Sequence, residues 1–184
     1  QNAITVVVYL TQSGAKAPDV LRSLAMLLPE AVPKMGASSQ IGDFFQLPQG
    51  YQQAKTVLEL GRRSHSMHWY YRFEDYLLEF LLQKGGEVFS PELLCSAKLL
   101  ALRQYDRENH ADLYHTLKVF LEQERNVLQT AKLLFIHRST LFYRLERIQK
   151  IADVNLDDAK ERLVLRISFY IMEYFDEAGK NAQV

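Results

Sequence analysis

The sequence predicts an α+β, mostly α-helical chain in which a truncated α/β segment precedes an all-α region. Three observations lead there. Near the start, the run Ile4 to Leu10 (ITVVVYL) is short, β-branched and suited to a buried strand. The elements that follow it alternate in type, and a β-α-β-α order argues a sheet layer rather than a bundle. Further on, Leu-rich stretches recur at helical spacing and need partners to cover them.

Each element has its own warrant. Asp19 to Leu28 is an amphipathic helix with Val20, Leu21, Leu24, Leu27 and Leu28 on its apolar side and Asp19 as cap. Lys34 to Ser39 suits a second strand. Tyr51 to Leu60 reads as a helix ended by Gly61, the residue type that most readily takes the left-handed cap conformation. Dense Leu patterns mark helices over Asp75 to Gln83 and Pro91 to Tyr105, with Gly85-Gly86-Glu87 as an interhelical loop and Ser90-Pro91-Glu92 as a helix start. Asp112 to Gln123 forms the next helix. Glu161 to Phe175 carries Leu163, Val164, Ile167, Tyr170, Ile171 and Tyr174 at helical spacing, with Asp157 or Asp158 as cap. That stripe suits packing under the preceding helices, and a dimer seam is the other role open to it. Residues 179–184 are expected to fray. The expected division is residues 1–70 for the α/β segment and 71–184 for the helical domain.

Composition excludes several function classes. The chain has 184 residues and balances 22 basic against 22 acidic side chains. Ten Phe and ten Tyr residues indicate a globular protein. No apolar run approaches the roughly 18 residues of a membrane span, and nothing resembles a secretory signal. The single Cys95 cannot form an internal disulfide and is expected to be a buried thiol in a reducing compartment. His65 with His68, and His110 with His115, lack a thiol or carboxylate that would complete a metal set. Neither a Gly-rich phosphate loop nor a nucleophile elbow occurs, so no cofactor, metal site or enzymatic activity is expected.

The most informative stretch is Asn126 to Ile151, NVLQTAKLLFIHRSTLFYRLERIQKI. It reads as two short helices joined by a tight turn, with small Ala131 where the helices cross and Leu134 and Ile136 bracketing the turn. At about 100° per residue, Leu141, Leu145 and Ile148 form one inward stripe, leaving Ser139, Tyr143, Glu146, Arg147 and Lys150 on the opposite side. That is the layout of a helix-turn-helix whose second helix lies in the major groove of DNA. His137, Arg138, Ser139 and Thr140 occupy the end of that helix which reaches base edges. Arg138 suits a bidentate contact to guanine, Tyr143 a phosphate, and Arg147 and Lys150 add charge. Arg144 lies on the flank, able to serve the DNA backbone or a neighbouring acid. Between Arg125 and Lys150 six basic residues face one acid, a net of +5 that leaves −5 for the rest of the neutral chain. An ordinary helical hairpin with a solvated basic side would show the same charge pattern. Phe135 stands where many such turns carry a glycine with positive φ, which implies a different turn geometry or an anchor packed on the helix below.

The run TAKLLFIHRSTLFYRLERI resembles the C-terminal helix-turn-helix domain of the PucR/CdaR-type bacterial transcriptional regulators. The shared pattern is carried by Thr130, Ala131, Leu134, Phe135, Ile136, His137, Arg138, Thr140, Leu141, Tyr143, Arg144, Leu145, Arg147 and Ile148. In that family an aromatic residue in the turn is normal, and Ser139 replaces the usual asparagine. Tyr105-Asp106, Leu117, Phe120-Leu121 and Asn155-Leu156-Asp157-Asp158 agree on the flanks. The α/β segment resembles the latter half of the degenerate GGDEF-like domain that often precedes this one, through Met35-Gly36, Tyr51-Gln52-Gln53-Ala54-Lys55 and Leu58-Glu59-Leu60-Gly61. Gly85-Gly86-Glu87 is not the cyclase signature, because Val88 and Phe89 stand where its paired acids would be.

The resemblance implies a cytoplasmic, sequence-specific DNA-binding regulator, present here as a C-terminal piece. Its partners would be double-stranded operator DNA and a second copy of itself in a homodimer or higher oligomer. A small-molecule effector would be sensed by a region absent from this chain. The rival reading is a protein-interaction or signal-relay module whose basic helix grips an acidic partner.

Overall fold

The structure, a computed structural model, describes residues 5–7, 23, 34–63 and 68–181. The chain divides into two compact units, Gln1–Leu81 and Leu82–Val184.

In the first unit, strands β1 (Met35–Ala37) and β2 (Tyr70–Arg72) pair in parallel, with Met35 opposite Tyr70 and Ala37 opposite Arg72. Parallel neighbours cannot be joined by a tight turn, and helix α1 (Leu47–Arg63) supplies the crossover. The Asp43 carboxylate accepts the Phe45 N–H at 3.0 Å and starts a short 3₁₀ turn leading into α1. Val57, Tyr71 and Phe73 form the small core, flanked by Leu58, Tyr76 and Phe80. Glycines set the closeness of this packing. A Cβ on Gly36 would overlap the carbonyl of Ala54, and one on Gly61 would overlap the Tyr71 ring. Gly61 therefore does not end α1, as its residue type suggested: the helix runs on to Arg63, and the glycine is there for close contact with β2.

Two expected elements fall largely outside the described residues. Of Ile4 to Leu10 only Thr5, Val6 and Val7 are described; they are exposed and join neither β1 nor β2. Of Asp19 to Leu28 only Ser23 is described, and it is helical.

The division between units falls inside helix α2 (Leu77–Gly86). Gly85 and Gly86 are its last residues rather than a loop, and Gly86 leaves room for the Phe175 ring. The expected helix from Pro91 to Tyr105 is two helices, α3 (Pro91–Leu94) and α4 (Ala97–Asn109). The chain breaks at Cys95-Ser96 because the Ser96 N–H bonds the Ser168 hydroxyl at 2.8 Å, a distant partner that local spacing cannot reveal. Cys95 is half-buried rather than buried; its thiol donates to the Ser168 carbonyl at 3.5 Å, and burial raises its pKa.

Helix α5 (Leu113–Glu122) is the centre of the second unit, with Leu113, Thr116, Leu117, Val119, Phe120 and Leu121 all buried. A helix covered on nearly every side must be wrapped by its neighbours. The wrapping comes from α4, α6 (Val127–Leu133), α7 (Arg138–Ala152) and α8 (Ala159–Asn181). Asp158 caps α8, accepting the Lys160 and Glu161 N–H groups at 2.7 and 3.1 Å. Residues 179–181, expected to fray, are helical. The side of α8 that meets the core is Leu165, Phe169, Ile171 and Met172. Of the stripe expected to pack inward, Leu163, Val164, Ile167 and Tyr170 are exposed instead. No helix among the described residues is long and apolar enough to cross a membrane.

Candidate nucleic-acid interface

Helices α6 and α7 form the motif, and their ends are fixed by local chemistry. The Asn126 side chain accepts the Gln129 N–H at 3.0 Å and caps α6. Ala131 is buried where α6 meets its neighbours, as its small size suggested, and Thr130 beside it is fully buried. The turn is closed by the Ile136 N–H bonding the Ala131 carbonyl at 3.0 Å. Within it Phe135 has φ 53, the left-handed conformation usually given to glycine. Its side chain is 96% exposed. Both expectations for Phe135 are thus corrected: the turn geometry is the glycine type, and the ring anchors nothing below it. Helix packing on both sides holds the backbone there despite the Cβ.

His137 caps α7. Its Nδ1 accepts the Ser139 N–H at 3.4 Å and lies 2.9 Å from the Ser139 hydroxyl. Leu141, Leu145, Ile148 and Ala152 face the core, so the opposite side of α7 looks outward. His137, Arg138, Ser139 and Thr140 are all exposed at its N-terminal end, followed by exposed Tyr143, Glu146 and Lys150. The helix dipole adds partial positive charge at that same end, where an anion is favoured. Lys132 on α6, Arg138 and Lys150 are exposed and form no ion pair among the described residues.

The remaining two proposed residues point elsewhere. Arg144 is half-buried and directs Nη1 to the Thr116 hydroxyl at 2.9 Å and the Asp112 carboxylate at 3.3 Å, both from the α5 end. Of the two roles open to it, the structure occupies it with the acid. Arg147, placed on the outward side by spacing alone, is half-buried. Its Nη2 donates to the Tyr105 hydroxyl at 2.6 Å, and its guanidinium lies 5.7 Å from the Tyr105 ring centre and 5.8 Å from that of Tyr143. Arg125, counted in the basic patch, pairs with Asp157.

The structure thus brings six of the eight named residues onto one exposed surface and turns Arg144 and Arg147 toward their supports. Reasoning on the motif missed those supports, Tyr105, Asp112 and Thr116, while Lys132, counted in the basic patch, was not named among the contact residues. Tyr105 stood out only as part of a flanking match; Asp112 and Thr116 lie in another helix, and nothing in α7 itself points to them. Among the described residues no group of three or more His, Cys, Asp or Glu side chains is arranged to hold a metal ion. His110 and His115 are exposed, and His65 lies outside the described residues.

Comparison with known proteins converges on the same segment. Residues 113–171 match the family described as the PucR C-terminal helix-turn-helix domain. Over 124 residues the chain is 34% identical to the DNA-binding transcriptional activator AdeR of Bacillus subtilis, covering 62% of this chain and 28% of that protein. It is 32% identical over 138 residues to the carbohydrate diacid regulator of Escherichia coli, covering 72% of this chain and 35% of that one. It is 30% identical over 137 residues to the purine catabolism regulatory protein of Bacillus subtilis, at 72% and 25% coverage. The matches thus span between about a quarter and about a third of these relatives' own lengths. No solved structure gives a significant match. Residues 113–171, which include α5, α6 and α7, thus carry the PucR C-terminal helix-turn-helix domain, and the relatives that share this part of the sequence are named as regulators.

Proposed function

We propose that this chain is the C-terminal part of a sequence-specific DNA-binding transcriptional regulator, reading one major-groove half-site with α7. The observation that carries this reading is the exposed N-terminal end of α7, where Arg138, Ser139 and Thr140 stand clear of the core and Arg138 forms no ion pair among the described residues. Arg138 reads a guanine edge, and Ser139 and Thr140 bond bases or phosphate, with His137 aiming the Ser139 hydroxyl. Tyr143 and Lys150 hold phosphates along the groove. Arg144 and Arg147 serve the interface by fixing α7 and the Tyr143 ring in place.

One module neutralises few phosphates, so two copies across a two-fold site are needed for useful operator affinity. The protein acts in the cytoplasm without enzymatic activity, and its effector is sensed by a region outside this chain. Residues 1–70 form a GGDEF-like remnant and residues 71–184 the helix-turn-helix domain. The parallel β1-α1-β2 unit, which runs two residues past that boundary to Arg72, supports an α/β character for the former.

Fluorescence anisotropy with duplexes tiled across the upstream region of its own operon, against shuffled duplexes at two salt concentrations, tests the reading. Selective binding that weakens with salt is expected. Equal affinity for all duplexes would instead favour the protein-interaction module.

A further inference from the structure

His137 and Ser139 between them fix the polarity of the exposed end of α7. The backbone N–H of Ser139 reaches His137 Nδ1 at 3.4 Å, and a backbone N–H can only donate. Nδ1 therefore holds a lone pair, and a ring with a bare Nδ1 is the neutral tautomer protonated on Nε2. Nδ1 also lies 2.9 Å from the Ser139 hydroxyl oxygen. One hydrogen joins those two atoms, and since Nδ1 has none, the hydroxyl donates it. Both donors converge on a single lone pair, a three-centre arrangement common at helix ends.

The consequence falls on what is left facing outward. A serine hydroxyl has one proton and two lone pairs, and without a fixed partner it turns to suit donor or acceptor alike. Here the proton is committed to Nδ1, so Oγ offers a ligand only lone pairs. Arg138 beside it has donors and no acceptor, and His137 Nε2–H is a donor as well. Thr140 has no such partner among the described residues, and its hydroxyl stays free to turn. Of the four exposed side chains from His137 to Thr140, Ser139 is the one held as an acceptor.

Major-groove edges differ in this respect. Adenine N6 and cytosine N4 donate into the groove, whereas guanine O6 and thymine O4 at the corresponding places only accept. An oxygen that presents lone pairs alone bonds the first two and opposes the others. We infer that Ser139 is a specificity-determining residue that reads the amino group of an adenine or cytosine, held to that choice by His137. The assignment rests on the reading above that α7 enters the major groove, and adds to it the polarity of one base contact. A serine without such a neighbour bonds any of the four bases, so the choice belongs to the pair rather than to the serine.

Two measurements test it. In the nitrogen NMR spectrum of the isotope-labelled free chain, in mildly alkaline solution, His137 should show a bare Nδ1 and a protonated Nε2. A proton on Nδ1 would overturn the assignment. The second measurement replaces each base pair of the duplex bound most tightly in the tiling titration by the other three pairs. At one position of the half-site, adenine or cytosine on the facing strand should bind about 3- to 10-fold more tightly than guanine or thymine, as one hydrogen bond allows. Ser139→Ala should level that position and leave the preferences elsewhere. His137→Ala should bring guanine and thymine up to adenine and cytosine, whereas His137→Asn, whose Oδ1 can stand in for Nδ1, should restore the preference. Retained helical circular dichroism checks that each variant is folded. Selective binding with no Ser139-dependent position, or with one that favours guanine or thymine, would overturn the assignment and leave the DNA reading standing. A preference unmoved by His137→Ala would remove His137 from it. If the parent binds no duplex selectively, the DNA reading fails and the assignment with it, whatever the nitrogen spectrum shows of the pair.

Discussion

Arg138 and Arg144 sit six residues apart on the same helix and share the same chemistry, yet the fold gives them opposite tasks. Arg138 opens α7 on its exposed end with no ion-pair partner among the described residues, while Arg144 spends its charge on Thr116 and Asp112. Arg147 repeats the inward role one turn later, held between two tyrosine rings. Among residues of one type on one helix, position along the helix and the distant partners within reach decide whether a guanidinium is offered to a ligand or used to hold the helix.

Substitutions can break this contrast. The largest effect is expected at Arg138→Ala: operator affinity should fall about 10- to 100-fold, with specificity relaxed at one base pair and the melting temperature unchanged. Unaltered affinity in the same anisotropy titration would remove Arg138 as the reading head. Arg144→Ala should show the reverse profile. Loss of its two hydrogen bonds leaves Asp112 and Thr116 short of a partner, and urea unfolding should report a loss of about 1–2 kcal/mol. Full stability in that variant would show that the inward contacts are dispensable. Lys150→Gln should act more gently, reducing the salt slope of binding by about one at every DNA sequence.

Acid should act on the fold away from the reading face. Lys98, hydrogen-bonded to Glu161, holds that carboxyl below the usual carboxylate range, assisted by the Asn155 N–H. Such a group contributes stability above the ordinary carboxylate pKa and loses it as pH falls through the lowered value. Because both side chains keep part of their surface in solvent the effect is small. Glu161→Gln should flatten the fall of melting temperature between about pH 5 and pH 3 and leave neutral-pH DNA binding as it was. An identical acid profile in the variant would remove this pair from the account.

How much of this was legible beforehand depends on the range of the interaction concerned. The inward stripe Leu141, Leu145, Ile148 and the crossing at Ala131 are local regularities that stand where the pattern put them, and of the two caps it offered, Asp157 or Asp158, the fold uses Asp158. Features set by distant partners were hidden. The break at Ser96 depends on Ser168, the inward turn of Arg147 on Tyr105, and the close approach at Gly61 on Tyr71. The stripe on α8 shows a different limit: its spacing marks it as apolar and helical, but spacing alone does not say which of two apolar sides faces the core. Phe135 shows a third, since its residue type argued against the backbone conformation that the two flanking helices impose.

Helix α5 has a consequence for motion. Since α5 is buried on all but the side carrying His115 and Glu122, and α4, α6, α7 and α8 all lean on it, none of them can detach without exposing its buried residues to water. The helix pair α6 and α7 is therefore part of a single cooperative unit rather than a hinged attachment. Amide hydrogens of α5 and the inner face of α7 should exchange only when the whole unit unfolds. A DNA ligand then meets a reading surface already set, and little ordering entropy is left to lose on binding.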